Sequence, residues 1–162
     1  MSSNRNQAMP SRINWVSTDE NATRNTVTPG VIDGSYVADG TIVAGDWVMW
    51  DTGEITGRGA YTSVIQATAA ANNALVCGVA LNAATEGQDV RVRHWGLIHP
   101  NQEEAVGVNV ATAVNIGESL VMSGATAGQA IARTAETDRR IGVAISEPAA
   151  NVATAVWVTC VA

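Results

Sequence analysis

From about residue 41 onward the chain is written twice. Ala44, Gly45, Asp46, Trp47 and Val48 answer to Ile116, Gly117, Glu118, Ser119 and Leu120, in each case a glycine and an acid leading into an apolar run. Gly78, Val79, Ala80 and Leu81 answer to Gly142, Val143, Ala144 and Ile145, and Val90, Arg91 and Val92 answer to Val156, Trp157 and Val158. The three pairs are 72, 64 and 66 residues apart. Constant order at changing spacing is the mark of a duplicated structural unit whose loops differ in length. The repeats are placed at about 41–98 and 113–162, inside one domain over 31–162. A body of that size is enough for a single core.

The repeated unit reads as β. Short runs rich in Val, Thr and Ile are divided by Gly, Asp and Asn, and β-branched residues fit a pleated surface better than a helix. Candidate strands are 41–43, 47–50, 61–67, 75–81, 89–95, 119–122, 129–134, 141–146 and 154–161. The Ala-rich stretch 67–74 is taken as a loop, because Asn72 and Asn73 favour a turn. Side chains alternate along a strand, which puts Val90 and Val92 on one face and Asp89, Arg91 and Arg93 on the other; Val156, Val158 and Cys160 are expected to face inward. Gly45, Gly78, Gly117 and Gly142 are the expected structural turn glycines. The expected class is all-β, built from two duplicated units.

Residues 1–30 differ from this body. They are rich in Asn, Ser, Thr and Arg, lack either period, and end at the Pro29–Gly30 turn signal, so an extended N-terminal arm is expected. The arm carries three Arg against Asp19 and Glu20; the remainder has six Arg against thirteen acids, within a net charge of -6. An acidic body argues against nucleic acid or an anionic membrane as partner. No apolar run approaches the roughly 18 residues of a membrane span, and the polar N-terminus lacks a signal-peptide core. The protein is expected to be made, and to remain soluble, in the cytoplasm.

The residue inventory removes several chemistries. All nine basic residues are Arg, so no lysine Schiff base, pyridoxal attachment or Walker-type phosphate lysine exists. His94 and His99, five apart, match neither the helical nor the strand spacing of a metal pair. Cys77 and Cys160 lie in apolar runs and are read as buried, inert thiols rather than a disulfide. Glu103 and Glu104 diverge if extended, and Gly53, Gly57 and Gly59 around Arg58 lack the following Lys-Ser or Lys-Thr of a phosphate loop. No enzyme, metal or cofactor is expected. Trp47 and Trp50 have opposite parity, so at most one is expected to face the core, leaving the other for a contact. Arg91, Arg93 and Trp95 share a parity and form a candidate exposed stripe. With Arg5, Arg12, Trp15 and Arg24 of the arm, the residues Trp50, Arg91, Arg93 and Trp95 are the candidate capsid or subunit contacts.

A turn glycine with an acid before a strand, a Gly-Val-Ala strand, the turn Thr85, Glu86, Gly87, then Val-x-Val, and the same order again ending in Val156, Trp157, Val158, carry a family resemblance. Over about 31–162 the order resembles a family of small tailed-phage head proteins described as capsid decoration or cement proteins. The resemblance implies a compact β-barrel or tulip-like domain, assembly as a homotrimer, the major capsid protein as partner, a place on the outer capsid surface of the virion, and stabilisation of the mature head. It implies no cofactor and no reaction. The rival is a carbohydrate-binding or host-attachment module, since exposed Trp on a β scaffold is what a sugar platform needs.

Overall fold

A computed structural model describes residues 30–52, 62–70, 73–100, 106–146 and 154–160. Of the expected arm, only Gly30 falls within them. Nine strands are present, with no helix among the described residues: β1 (Ile32–Ala38), β2 (Trp47–Trp50), β3 (Ser63–Gln66), β4 (Val76–Ala80), β5 (Asp89–Ile98), β6 (Ser119–Met122), β7 (Ala130–Ala132), β8 (Gly142–Ala144) and β9 (Val156–Thr159). The all-β class holds. The expected strand at 41–43 is a single bridge between Ile42 and Ala84, whereas β1 is an addition: Asp33, Gly34 and Ser35 dilute its apolar alternation.

Strands β1, β3, β2, β4 and β5 are neighbours in that order, and a second pairing of β1 with β5 closes them into a five-stranded barrel. The second half repeats this arrangement as β7, β6, β8 and β9. Its fifth position is held by two bridges, Val108 with Thr154 (antiparallel) and Val110 with Ala130 (parallel). These match Tyr36 with Val90 and Ala38 with Val64 in the first barrel. The registers agree residue for residue where β2 meets β4 and β6 meets β8: Trp47 faces Val79 and Val48 faces Gly78, as Ser119 faces Val143 and Leu120 faces Gly142.

The pairing corrects one alignment. Val79 and Ala80 face Arg93 and Val92, while Val143 and Ala144 face Trp157 and Val156. Thus Val92, Arg93 and His94, not Val90, Arg91 and Val92, answer to Val156, Trp157 and Val158. Alternation repeats every second residue, so a slide of two leaves the pattern unchanged and only the pairing reveals it.

Two of the four glycines are also reassigned. Gly45 and Gly117 do sit in turns with positive φ, +90° and +84°, and each donates its N–H to the matching carbonyl, Ala80 or Ala144. Gly78 and Gly142 are not turn residues but lie within β4 and β8. A Cβ on Gly78 would stand 2.3 Å from the Arg93 carbonyl oxygen, and one on Gly142 would stand 2.9 Å from Val156 Cγ1 and 3.0 Å from the Trp157 oxygen. Both are glycine because the next strand approaches too closely for a side chain.

β5 is long because it serves both barrels. Its residues Asp89 to Trp95 pair with β1, and Trp95 to Ile98 pair with β9. In the second barrel Trp95 to Ile98 therefore stand where Ile32 to Gly34 stand in the first. The cross-strand pair Asp33 with Arg93 becomes Leu97 with Trp157.

One apolar cluster fills the first barrel, with Ile42, Val48, Val64, Cys77, Val90 and Val92. The other fills the second barrel and extends to the seam, where Trp47, Ala67, Val79 and Leu81 of the first half join it. The seam explains why the repeats diverged. Trp47, Ala67 and Leu81 are covered, and their counterparts Ser119, Arg133 and Ile145 are half-buried or exposed; only the covered set gains by being apolar throughout. Asp46 ties the seam together: its buried carboxylate accepts from Val43 N (3.1 Å), Gln66 Nε2 (2.8 Å) and Asn109 Nδ2 (2.9 Å). Among the described residues its counterpart Glu118 accepts from Asn115, through N and Nδ2, and these bonds hold its carboxyl below the usual range.

Both cysteines are free and buried. Burial, then the charge of Cys160, pushes the Cys77 thiol far up, and burial pushes Cys160 up to about 12 from 9.0, with Arg139 partly offsetting it. A thiolate-selective reagent at about pH 8 is therefore expected to label neither thiol in the folded chain and both in denaturant. The folded state holds these protons where the unfolded chain releases them. Their contribution to stability is full below the ordinary thiol pKa and is lost as pH rises from there toward 12. Denaturant midpoints read across that window check the sign.

Candidate functional site

The three neighbouring strands β1, β5 and β9 gather most of the predicted contact residues that are described. Arg5, Arg12, Trp15 and Arg24 lie outside the described residues, as do Glu103, Glu104 and the glycines around Arg58. On the outward face of β5, the expected exposed stripe of Arg91, Arg93 and Trp95 is not what forms. Arg93 is buried, with Nε 2.8 Å from Asp33 Oδ1, Nη2 3.0 Å from Oδ2, and Nη1 donating to the Leu97 carbonyl at 2.6 Å. β1 is the antiparallel neighbour of β5 in the same sheet, and Asp33, directly opposite Arg93 in register, neutralises the guanidinium; such fork-to-fork pairing is the strong form of an ion pair. Only Arg91 stays exposed, 3.5 Å from the same carboxylate.

Trp50 is likewise not a free contact of β2. Both faces of β2 are occupied: Trp47 is fully buried in the seam cluster, and Trp50 packs against the cluster of the first barrel. Opposite parity was legible, but a strand shared between a barrel interior and a seam has two inner faces. Trp50 stacks on His94 (centroids 5.8 Å, 24°) and meets Tyr36 edge-on at 5.0 Å.

His94 uses both ring nitrogens. Nδ1 lies 2.6 Å from the Cys77 carbonyl and Nε2 lies 2.7 Å from Tyr36 Oη. A carbonyl only accepts, so Nδ1 carries a proton, and in the neutral ring Nε2 accepts from the tyrosine hydroxyl. Burial, and then Cys77, raises the Tyr36 pKa, which keeps that donor protonated. In the second barrel these three places are taken by Val108, Met122 and Val158, all buried. The sequence carries no signal for the Tyr36–His94 pair, because the repeat register that sets His94 against Val158 is fixed only by strand pairing.

Farther along, Trp95 and Trp157 form an edge-to-face pair at 6.1 Å, with Leu97 opposite Trp157 on the same face. All three are half-buried. Trp95 was expected as a contact, and Trp157 joins it. Among the described residues no three His, Cys, Asp or Glu side chains come together as a metal site.

No family model matches the chain, and no curated protein matches it. The double barrel is similar to a solved phage protein. That structure is the head fiber gp8.5 N base of bacteriophage phi29, with a TM-score of 0.56 and 12% identity over 79% of this chain and 93% of that chain. At that identity the likeness is one of fold. At 79% of this chain it extends beyond either repeat alone.

Proposed function

We propose that this chain is a non-enzymatic structural protein of a tailed-phage virion, a decoration subunit that binds the outer surface of the head and stabilises it. The observation that carries the reading is the likeness of fold, over 79% of this chain, to a phage head fiber base. The decoration family resembled by the repeat order of 31–162 points to the same part of a virion. Binding to a site present only on the mature shell stabilises that shell by linkage. Assembly as a homotrimer adds avidity, because after one subunit engages the major capsid protein the others bind intramolecularly. The arm residues Arg5, Arg12, Trp15 and Arg24, with Arg91 and Trp95, are the proposed contacts.

The chemistry present supports a structural role. His94 is held by two partners, and both thiols are buried with raised pKa values. Purified protein mixed with mature heads that lack it is expected to co-sediment saturably and to raise the temperature at which the shells release DNA. Absence of binding to intact heads contradicts the reading. The half-exposed Trp95–Trp157 pair favours one alternative, a carbohydrate-binding module for host attachment, which predicts retention of the isolated protein on host surface glycan.

A further inference from the structure

The seam between the barrels shows, bond by bond, how the end of one barrel binds the mouth of the next. At the mouth of the first barrel Val37 N donates to the Thr62 carbonyl at 3.1 Å. The strand pairing sets Asn109 and Gly128 at the equivalent places of the second barrel, and there the two groups have parted. Asn109 N donates to the Gly45 carbonyl at 3.0 Å, and the Gly128 carbonyl accepts from Trp47 N at 2.9 Å. One bond inside a barrel is thus exchanged for two across the seam, and Leu81 is buried in the same seam. The second barrel ends in the same way, with Gly117 and Ser119 where Gly45 and Trp47 stand. Nothing lies within 4 Å of a Cβ on Gly117, so the place that the Gly107 carbonyl takes against Gly45 is open. Among the described residues neither the Gly117 carbonyl nor the Ser119 N–H meets another barrel. Ile145, the counterpart of Leu81, is 43% exposed, and Ile116, beside Gly117, is 62% exposed.

We infer that this end of the second barrel, formed by Ile116, Gly117, Ser119 and Ile145, docks on the first-barrel mouth of a second copy of the chain, at Ser35, Val37 and Thr62. The occupant is another copy because the chain carries both halves of the contact. The end left exposed is the repeat of one that docks, and the mouth left exposed is the repeat of one that receives. Ser35, the counterpart of Gly107, is exposed, and Val37 is half-buried. Docking makes the same exchange as the seam: Val37 N turns from Thr62 to the Gly117 carbonyl of the neighbouring copy, and the Thr62 carbonyl accepts from that copy's Ser119 N–H. No backbone group is left buried and unpaired. The contact is weaker than the seam, since Ser119 and Arg133 replace Trp47 and Ala67, and the bond from Asn109 to Asp46 has no counterpart where Val37 stands. A more polar contact suits copies that fold separately. Its two surfaces differ, so it is heterologous and propagates in one direction until a ring closes. A homotrimer closed this way is a ring of alternating first and second barrels. The inference deepens the homotrimer part of the reading above and does not rest on capsid binding.

Sedimentation velocity of the full chain tests it with two variants, one blocked at each surface. Ile116→Glu/Ile145→Glu places charge on the end of the second barrel. Ser35→Glu sets a carboxylate against Glu118 of the neighbouring copy, while Arg91, opposite Ser35, accommodates it within its own chain. All three positions are exposed, and an unchanged circular dichroism spectrum reports an intact fold. Wild type is expected to assemble, and each variant alone to associate at least about tenfold more weakly. Mixed in equal amounts, the two variants are expected to form a dimer and nothing larger, because one sound end meets one sound mouth. The mixture is read at about ten times the wild-type assembly midpoint, since an open dimer lacks the avidity of a closed ring. Wild type that stays monomeric, variants that assemble like wild type, or a mixture that stays monomeric each overturns the inference. Monomeric wild type that still binds mature heads overturns this contact and leaves the capsid reading standing.

Discussion

Gly45→Ala is expected to destabilise the protein by about 3–5 kcal/mol, against about 1–2 kcal/mol for the repeat-related Gly117→Ala. The two glycines have nearly the same φ, +90° and +84°, so the backbone strain of an L side chain is common to both. Their surroundings differ. Nothing lies within 4 Å of a Cβ on Gly117, whereas a Cβ on Gly45 would stand 2.2 Å from the carbonyl oxygen of Gly107. That oxygen belongs to the second half, and beside it Asn109 N donates to the Gly45 carbonyl at 3.0 Å. Relief requires the second barrel to move away from the turn, which disturbs the three bonds to Asp46 and the cover over Trp47. Urea unfolding with an unchanged slope checks the difference. Equal losses at the two sites would mean that the barrels do not close on each other at this turn.

The second large effect concerns Arg93. Asp33→Leu leaves a buried guanidinium without its carboxylate, and a loss of about 2–4 kcal/mol is expected, reduced from the fully buried case because Asp33 is partly exposed. Adding Arg93→Met removes the stranded charge and copies the apolar pairing that the second barrel already uses at Leu97 and Trp157. The double variant is expected to recover most of the loss, with a coupling of about 2 kcal/mol in the cycle. If the single losses simply add, the ion pair is not what makes the first barrel differ from the second.

The all-β class, the two-unit plan and most strands were legible because hydrophobic alternation and turn glycines are local signals. Strands 47–50 and 119–122 coincide with β2 and β6. What was not legible depends on pairing. The Val-x-Val strands of the two repeats could be slid by two residues without penalty, and that slide hid the match of Arg93 with Trp157. Parity places Arg93 on the face opposite Val90 and Val92, but gives no sign that β1 pairs with β5 and sets Asp33 beside it. β1 itself is not legible, because its polar residues look like a loop until that partner is known. Gly78 and Gly142 look like turn glycines in isolation; they are strand glycines because Arg93 and Trp157 bring their backbones close. The roles of Trp47 and Trp50 needed the seam, which exists only once both barrels are folded.

The duplicated barrel joins these facts to the proposed role. One unit alone would expose Trp47, Ala67, Val79 and Leu81; the second unit covers them, and β5 pairs with strands of both units in one sheet. The most direct measurement is a cryo-electron microscopy reconstruction of mature phage heads with and without the added protein. The account predicts extra density on the outer surface, shaped as double barrels and grouped in threes over the major capsid protein. Heads that are identical in the two reconstructions, or density confined to the tail, would contradict it.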